Sequence, residues 1–560
     1  MIHSLPGGAV ARATAALDRI ETSDRPEIWI SLRTRDELLE EAAAIDAKVA
    51  GGEVLPLAGR LLAVKDNIDV CGLPTTAGAP SFAYRPTADA TAVARLRAAG
   101  ALVVGKTNLD QFATGLVGTR SPYGAVRNAW DPNRISGGSS SGSAVAVALG
   151  LVDLALGTDT AGSGRVPAAL NGIVGVKPSR GLVPVTGVVP ACYTLDCVTV
   201  FARDLGSARA AAELMAGPDP ADPLSRTLPP GAGPPPVPRV AVPTGEHLDG
   251  LAPGWAAAFQ GTVARLASAG VEVVEVDISP LLEAARLLYE GAFVAERYAA
   301  VGSHLEANRD LVGTGLDPTV TEIVLAGASA TAAVWARDVA VLARLGAEGR
   351  AALAGCSALL TPTTTWHPTL LEVADDPVGA NARLGRYTNF ANLLDMASLA
   401  VPAGQVDGLP FGVMLTGAAG SDRTLAALGH ALLSPSVDLF VVGAHLSGMP
   451  LNHQLVEAGA TLLRPAATSA DYRLFALDTV PPKPGLVRVG PRGAGVRIEG
   501  ELWRVPAASF GAFVGGVPAP MAIGKVGLAD GSEVSGFLVE PFAVEGAADI
   551  SSYGGWRRYR

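Results

Sequence analysis

Apolar and polar positions fall into blocks that change character along the chain. From Val10 to Val49 they mix at helical spacing, most clearly in Asp36-Glu37-Leu38-Leu39-Glu40-Glu41, which predicts a largely helical segment. Leu61–Val64 is a short continuous apolar run and predicts a buried strand ending at Lys65-Asp66-Asn67. Asp89–Ala99 reads as a helix and Ala101–Gly105 as a second buried strand. The alternation recurs: Ala144–Leu149 is helical, Val152–Leu156 and Ile173–Val176 are strand-like, and Val240–Val242 and Val271–Val276 are strands around a helix. Leu281–Ala300 reads as one helical run carrying Tyr289 and Arg297. Ala328–Ala354 reads as a long Ala-rich helix, Leu359–Thr363 as a strand entering a loop, and Thr388–Asp395 as the start of a further helix. Such alternation predicts an α/β domain with a mixed central β-sheet covered by helices.

Around Leu433–Asp438 the texture changes. Short strand patterns at close spacing follow (Leu439–Val442, Tyr472–Ala476, Leu486–Val489, Val496–Val505), separated by turn residues. They predict a second, smaller, β-rich α+β domain over 436–560, with 1–435 as the first. Gly217–Pro238 is dense in Pro, Asp and Gly and reads as a surface excursion or linker.

Composition narrows the function classes. The 560 residues are 49% hydrophobic and 17% charged, enough for a large core in two or three domains. The formal charge of −10, with no basic block, argues against a nucleic-acid partner. The four cysteines (Cys71, Cys192, Cys197, Cys356) are scattered with no CxxC pair, which points to a reducing compartment without a zinc site or disulfide frame. No run approaches the ~20 apolar residues of a membrane span, and no basic region precedes an apolar one at the N-terminus. A soluble cytoplasmic protein with no membrane partner is the expectation.

Candidate chemistry concentrates between Ile135 and Pro167. A Gly/Ser loop (Gly137–Ser143) and a Gly/Ser turn (Thr160–Gly164) bracket a helix and a strand, an arrangement that can bring two serines to one point among unobstructed N–H groups. A phosphate cradle is excluded by the absence of GxxxxGK[ST], and GxSxG is absent too. The seven histidines lack metal-site spacing, and His247, His304, His367 and His430 stand in ordinary contexts. A serine nucleophile with a base other than histidine remains, and lysine is a known partner. Lys65 is either a solvated strand end or a buried amine whose pKa falls far enough to act as a base.

Three stretches carry a resemblance. VKDN (Val64–Asn67), GGSSSGSA (Gly137–Ala144) and GTDTAGSGRVP (Gly157–Pro167) together resemble the amidase signature family, over roughly Val10–Leu433. The resemblance implies a Ser–cis-Ser–Lys triad with Ser163 as nucleophile, Ser139 as bridging cis-serine and Lys65 as base. It implies an oxyanion hole from the N–H groups of Thr160, Ala161, Gly162 and Ser163, with Asp159 shaping the loop. No metal or cofactor is called for.

Within that family, NLDQFATGLVGTRSPYG, YTNFANLLDMASLAVPAG and a C-terminal extension are similar to the allophanate hydrolase subgroup. That similarity implies substrate contacts from Gly115, Tyr289 and Arg297. Residues eight apart on one helix lie about 80° apart around its axis, so both side chains can face one pocket. A guanidinium there would hold the carboxylate of a small substrate. Read from the residues alone, Arg297 pairs as well with Glu296 or Glu290 on a helix surface. The C-terminal segment is similar to the gamma-glutamyl cyclotransferase-like fold through VVGAHLSGMPLN, YRLFAL and IEGELWRVP. In allophanate hydrolases this implies decarboxylation of the first product through a histidine, His445 ahead of His453; a binding or dimerisation module without chemistry stays open. The implied function is hydrolysis of allophanate to release ammonia in urea or s-triazine nitrogen assimilation. A homodimer is implied as well, associated with upstream urea or biuret pathway enzymes. A broad-specificity amidase and an amidotransferase A-like subunit working in a complex are the alternatives.

Overall fold

The computed structural model, which describes residues 8–228, 237–433, 436–490 and 495–560, gathers the apolar runs of the first unit into one mixed sheet. Its strands are β1 (Trp29–Leu32), β2 (Leu61–Lys65), β3 (Leu102–Thr107), β4 (Leu154–Asp159), β5 (Val174–Lys177) and β6 (Cys197–Ala202). They continue with β7 (Arg239–Pro243), β8 (Glu272–Val276), β9 (Ala358–Pro362), β10 (Met396–Val406) and β11 (Leu409–Ala418). The spatial order is β1-β3-β2-β4-β6-β5-β10-β11-β9-β7-β8. β2 runs parallel to both β3 and β4, whereas β4–β6, β5–β6 and β10–β11 are antiparallel. Every residue of β2, β3, β4 and β6 is buried, which is why these strands read as continuous apolar runs rather than alternating ones.

Helices cover the sheet. The helix Ser141–Ala148 is built from Ser, Gly, Ala and Val alone and is buried from Ser141 to Val147. Small side chains let it lie close on β2, β4 and β6, in one core with Ala13, Leu17, Leu38 and Ile45 of the first two helices. The second of these, Arg35–Ala50, starts in a capping box between Thr34 and Glu37, a device that contributes about 1 kcal/mol.

Two expectations change, one is refined and one lies partly outside the described residues. Val10–Val49 is largely helical as expected, in Ala9–Thr22 and Arg35–Ala50, but Pro26 and the extended Trp29–Leu32 interrupt it, and β1 pairs with β3 at the sheet edge. Leu281–Ala300 is two helices, Ser279–Glu290 and Ala295–Ala307, because Gly291 takes an extended conformation (φ −103°, ψ −174°) and ends the first. Thr388–Asp395 yields a single helical turn, Phe390–Leu393, before the long β10–β11 hairpin, whose polar turn at Asp407-Gly408 is easily missed inside an apolar run. The excursion from Gly217 contains residues 229–236, which lie outside the described residues.

Contacts divide the chain into two units, Met1–Val263 with Glu272–His430, and Ala264–Val271 with Ala431–Arg560. Residues 434–435, at the expected boundary, lie outside the described residues. The second unit holds a five-stranded sheet in the order Thr461–Ala467, Glu499–Pro506, Ser436–Val441, Glu533–Val539, Met521–Gly527. A three-stranded sheet of Lys483–Arg488, Tyr472–Leu477 and Ala548–Asp549 accompanies it, and Phe440, Leu455, Tyr472, Trp503 and Trp556 share its core. Among the described residues no single helix is long and apolar enough to cross a membrane.

Candidate active site

β2, the third strand from one edge of the sheet, carries Lys65 and leaves it fully buried. Its amine lies 2.7 Å from the Ser139 hydroxyl and 2.7 Å from the Thr158 hydroxyl of β4. Asn67 reaches the same Thr158 oxygen at 3.3 Å, so strand and loop converge on one point. Burial pushes the Lys65 amine down to about 7, against the carboxylates of Asp110, Asp196 and Asp159, which favour its charged form. The solvated-strand-end reading of Lys65 is therefore overturned.

Ser139 follows a cis peptide bond from Gly138. Its carbonyl accepts from the Asp110 amide at 3.1 Å, and the Gly138 amide donates to the Leu116 carbonyl at 2.8 Å. A side chain at Gly138 would collide with the Asp110 carboxylate, so only glycine brings the two loops this close. Asp110 carries no signal of its own in the sequence. Its buried carboxylate, pushed up by desolvation, accepts from the amides of Val117, Gly118 and Arg120 at 3.0–3.2 Å and so shapes the loop that carries Gly115.

Ser163 is 2% exposed, and its hydroxyl donates to the Gly115 carbonyl at 3.4 Å. The turn Thr160–Gly164 is gripped from below by a buried pair. Arg165 donates to both oxygens of Asp159 at 2.9 and 2.8 Å, and Gly164 donates its amide to the same carboxylate at 2.9 Å. Burial pushes the Asp159 carboxyl up, but Arg165 outweighs it and holds the group below its ordinary range. Asn392 closes the cluster, donating to the Asp159 carbonyl at 2.7 Å and accepting from Arg165 at 2.9 Å. Gly162 has φ +155°, and a side chain there would strike the Thr388 hydroxyl. Thr160, Ala161 and Gly162 are all buried in this turn, with the Thr160 hydroxyl donating to Asp196.

Arg297 is 1% exposed. It donates to the Thr114 hydroxyl at 2.9 Å and the Tyr289 hydroxyl at 3.2 Å, while its Nε–H has no partner. The alternative of a surface pair fails: Glu290 binds Arg286, and Glu296 accepts from Thr194. Among the described residues, His247 bonds Asp277, His304 bonds Ser81 and packs on Phe82, and His367 donates to the Ile135 carbonyl, none of them at Ser139 or Ser163.

His445 belongs to the second unit, in a cavity of about 680 Å³ lined also by Gln454, Lys483, Phe513 and Phe537. Its ring stacks on Phe537 with centroids 4.8 Å apart, Nε2 lies 2.9 Å from Gln454 Oε1, and burial lowers its pKa. Gly443, two residues before it, lies so close to Pro484 that a side chain would clash. His453 is exposed and turned to the Pro450 carbonyl.

Known proteins resemble this chain in sequence and fold. The Amidase family matches residues 12–426, and the family described as allophanate hydrolase C-terminal domain matches residues 437–560. The urea amidolyase of Saccharomyces cerevisiae is 43% identical over 593 residues, covering 97% of this chain and 32% of that protein. A glutamyl-tRNA(Gln) amidotransferase subunit of Thermus thermophilus is 37% identical, over 74% of this chain and 91% of that one. A solved structure of Kluyveromyces lactis allophanate hydrolase superposes with a TM-score of 0.71 at 41% identity, covering 99% of this chain and 97% of that chain. The chain spans about a third of the length of the curated urea amidolyases it matches. With its sheet, its paired serine loops and its buried lysine, the chain belongs to the amidase family.

Proposed function

We propose that this chain hydrolyses the terminal amide of allophanate, releasing ammonia, with Ser163 as nucleophile, Ser139 as relay and Lys65 as base. One observation carries the choice of substrate: Arg297 and Ser163 bind adjacent residues, Thr114 and Gly115, so a buried guanidinium with a spare N–H stands beside the nucleophile. A small amide ending in a carboxylate fills that spare donor while presenting its carbonyl to Ser163. Similarity along the whole length of the K. lactis allophanate hydrolase supports the same substrate.

The chemistry follows from the protonation states. Lys65, with a pKa of about 7, is largely neutral above that pH and takes the proton of Ser139. Ser139 takes the proton of Ser163, whose hydroxyl rotates from the Gly115 carbonyl and attacks the amide carbon. The N–H groups of Thr160, Ala161, Gly162 and Ser163 bind the resulting oxyanion, each such donor contributing about 3–4 kcal/mol. As the C–N bond breaks, the relay runs backward and protonates the leaving nitrogen, which departs as ammonia. Water then cleaves the acyl-enzyme and restores Ser163.

The product, N-carboxycarbamate, sheds carbon dioxide when a C–N bond breaks toward nitrogen and the nitrogen takes a proton. His445 in its cavity is the group we assign to that proton, over residues 436–560, with 1–435 as the hydrolytic domain. Curated urea amidolyases carry a matching segment within a much longer chain, which supports a place next to an upstream enzyme of urea breakdown; we extend the proposal to a place beside a biuret enzyme. We take the working form to be a cytoplasmic homodimer.

Ammonia release from purified protein tests the reading. Allophanate is turned over with the highest kcat/KM, malonamate less well, and propionamide and glutamine poorly. Equal kcat/KM for propionamide and allophanate overturns the assignment in favour of a broad amidase; preference for glutamine favours an amidotransferase component.

A further inference from the structure

Asp196 stands next to β6, and its position follows from strand register. β4 and β6 run antiparallel with Asp159 opposite Cys197, which sets Asp196 opposite Thr160, the first residue of the oxyanion turn. The Asp196 carboxylate accepts from the Thr160 hydroxyl on one oxygen. The amides of Ala191 (2.8 Å) and Cys192 (3.3 Å) donate to it as well, which fixes the carboxylate from behind. It is 5% exposed.

A buried carboxylate is costly unless its charge is matched. Arg297 is the cation whose field reaches Asp196, and Asp196 in turn acts on Lys65, Cys192 and Cys197. Burial pushes its carboxyl up to about 6, while the Thr160 hydroxyl, the Ala191 and Cys192 amides and Arg297 oppose that rise. The Asp159–Arg165 pair secures the far end of the turn at Gly164.

We propose that Asp196 is a positioning residue for the amide step, holding the oxyanion turn through the Thr160 hydroxyl in register with the guanidinium of Arg297. The turn's donors act on charge that develops only in the transition state, so the contribution falls on kcat. The carboxylate end of the substrate, held by Arg297, is bound equally with or without the Thr160 contact, so KM is spared. The inference rests on the assignment of Ser163 and its turn made above.

Steady-state ammonia release from full-length variants tests it, with Ser163→Ala alongside. Thr160→Val keeps the size of the side chain and every backbone N–H but deletes the donated hydroxyl. It is expected to lower kcat about 10- to 100-fold while KM stays within about threefold. Thr160→Ser returns the hydroxyl and recovers most of that loss. Asp196→Asn lowers kcat similarly, and the double variant Thr160→Val/Asp196→Asn is no slower than Asp196→Asn, since both remove one contact. A Thr160→Val kcat within about twofold of the unmutated enzyme, or a change confined to KM, overturns the inference. Should Asp196→Asn not fold, the Val/Ser pair at Thr160 decides. Turnover by Ser163→Ala overturns instead the reading on which the inference stands.

Discussion

Arg297 donates to the Tyr289 hydroxyl at 3.2 Å across a break between two helices, Ser279–Glu290 and Ala295–Ala307. The guanidinium carbon also lies 5.1 Å from the centre of the tyrosine ring. Gly291 turns the chain between them, so the pair meets by a backbone bend rather than by helical repeat. The arrangement holds a planar cation in one orientation inside the protein, with its Nε–H left without a partner.

Replacing Arg297 by Met should remove the charge while keeping most of the buried volume. A charge-assisted hydrogen bond is worth about 1.5–3 kcal/mol, so kcat/KM on allophanate falls about 10- to 150-fold. On propionamide, which has no carboxylate, kcat/KM moves by no more than about twofold. A substrate panel assayed for ammonia checks this, and an equal loss on both substrates removes the carboxylate role from Arg297.

Lys65 links activity and stability to pH with opposite consequences for one substitution. The relay needs the neutral amine, so kcat/KM rises with pH through about 7. The unfolded chain holds this proton up to the ordinary lysine value of 10.5, while the native chain releases it at about 7. Between these limits the unfolded state binds more protons, so the Lys65 contribution to folding stability increases as pH rises. Lys65→Met abolishes turnover, raises Tm near pH 7 and loses this part of the pH slope between pH 7 and 9. Thermal melts of both proteins at the two pH values decide; a Met variant with a lower Tm and an unchanged slope contradicts the buried amine.

How much of this was legible in the chain differs from residue to residue. VKDN and the two Gly/Ser loops were readable because β2 is a continuous buried run and the loops are long uninterrupted strings of small residues. Tyr289 and Arg297 are implied by the resemblance to the allophanate hydrolase subgroup, but the single helix expected to carry them is broken at Gly291. Asp110 and Asp196 have no local signature in the sequence. Each is a single carboxylate in a polar loop, and its importance comes from the loops and register that bring it to Gly138 and Thr160, which no local pattern displays. The β10–β11 hairpin lacks one for a related reason: its turn, Asp407-Gly408, is two residues inside a long apolar stretch.

The Asp159–Arg165 pair makes a sharper demand on folding. Both side chains are fully buried, and the carboxylate also accepts from Gly164 in the oxyanion turn. Arg165→Met leaves a buried carboxylate without its counter-charge, which costs about 3–5 kcal/mol. Urea unfolding measures the loss. Adding Asp159→Asn to Arg165→Met recovers part of the stability because no charge remains, yet activity does not return, since the turn has lost its anchor. A loss below about 1 kcal/mol in the single variant excludes the pair as the support of the turn.

His445 bears on the second step. Gln454 Oε1 accepts from Nε2 at 2.9 Å, so Nδ1 has a proton to give the departing nitrogen only when the ring is charged; burial lowers the ring's pKa, so this step slows as pH rises. The neighbouring Lys483 adds a cation to the lining, suited to an anionic carbamate. In the full-length His445→Asn variant the amide step continues, while N-carboxycarbamate accumulates and carbon dioxide appears more slowly. Carbon-13 NMR with labelled allophanate follows both species in one sample. Carbon dioxide released at the unmutated rate, with no intermediate detected, assigns the decarboxylation to solution and leaves the cavity without that role.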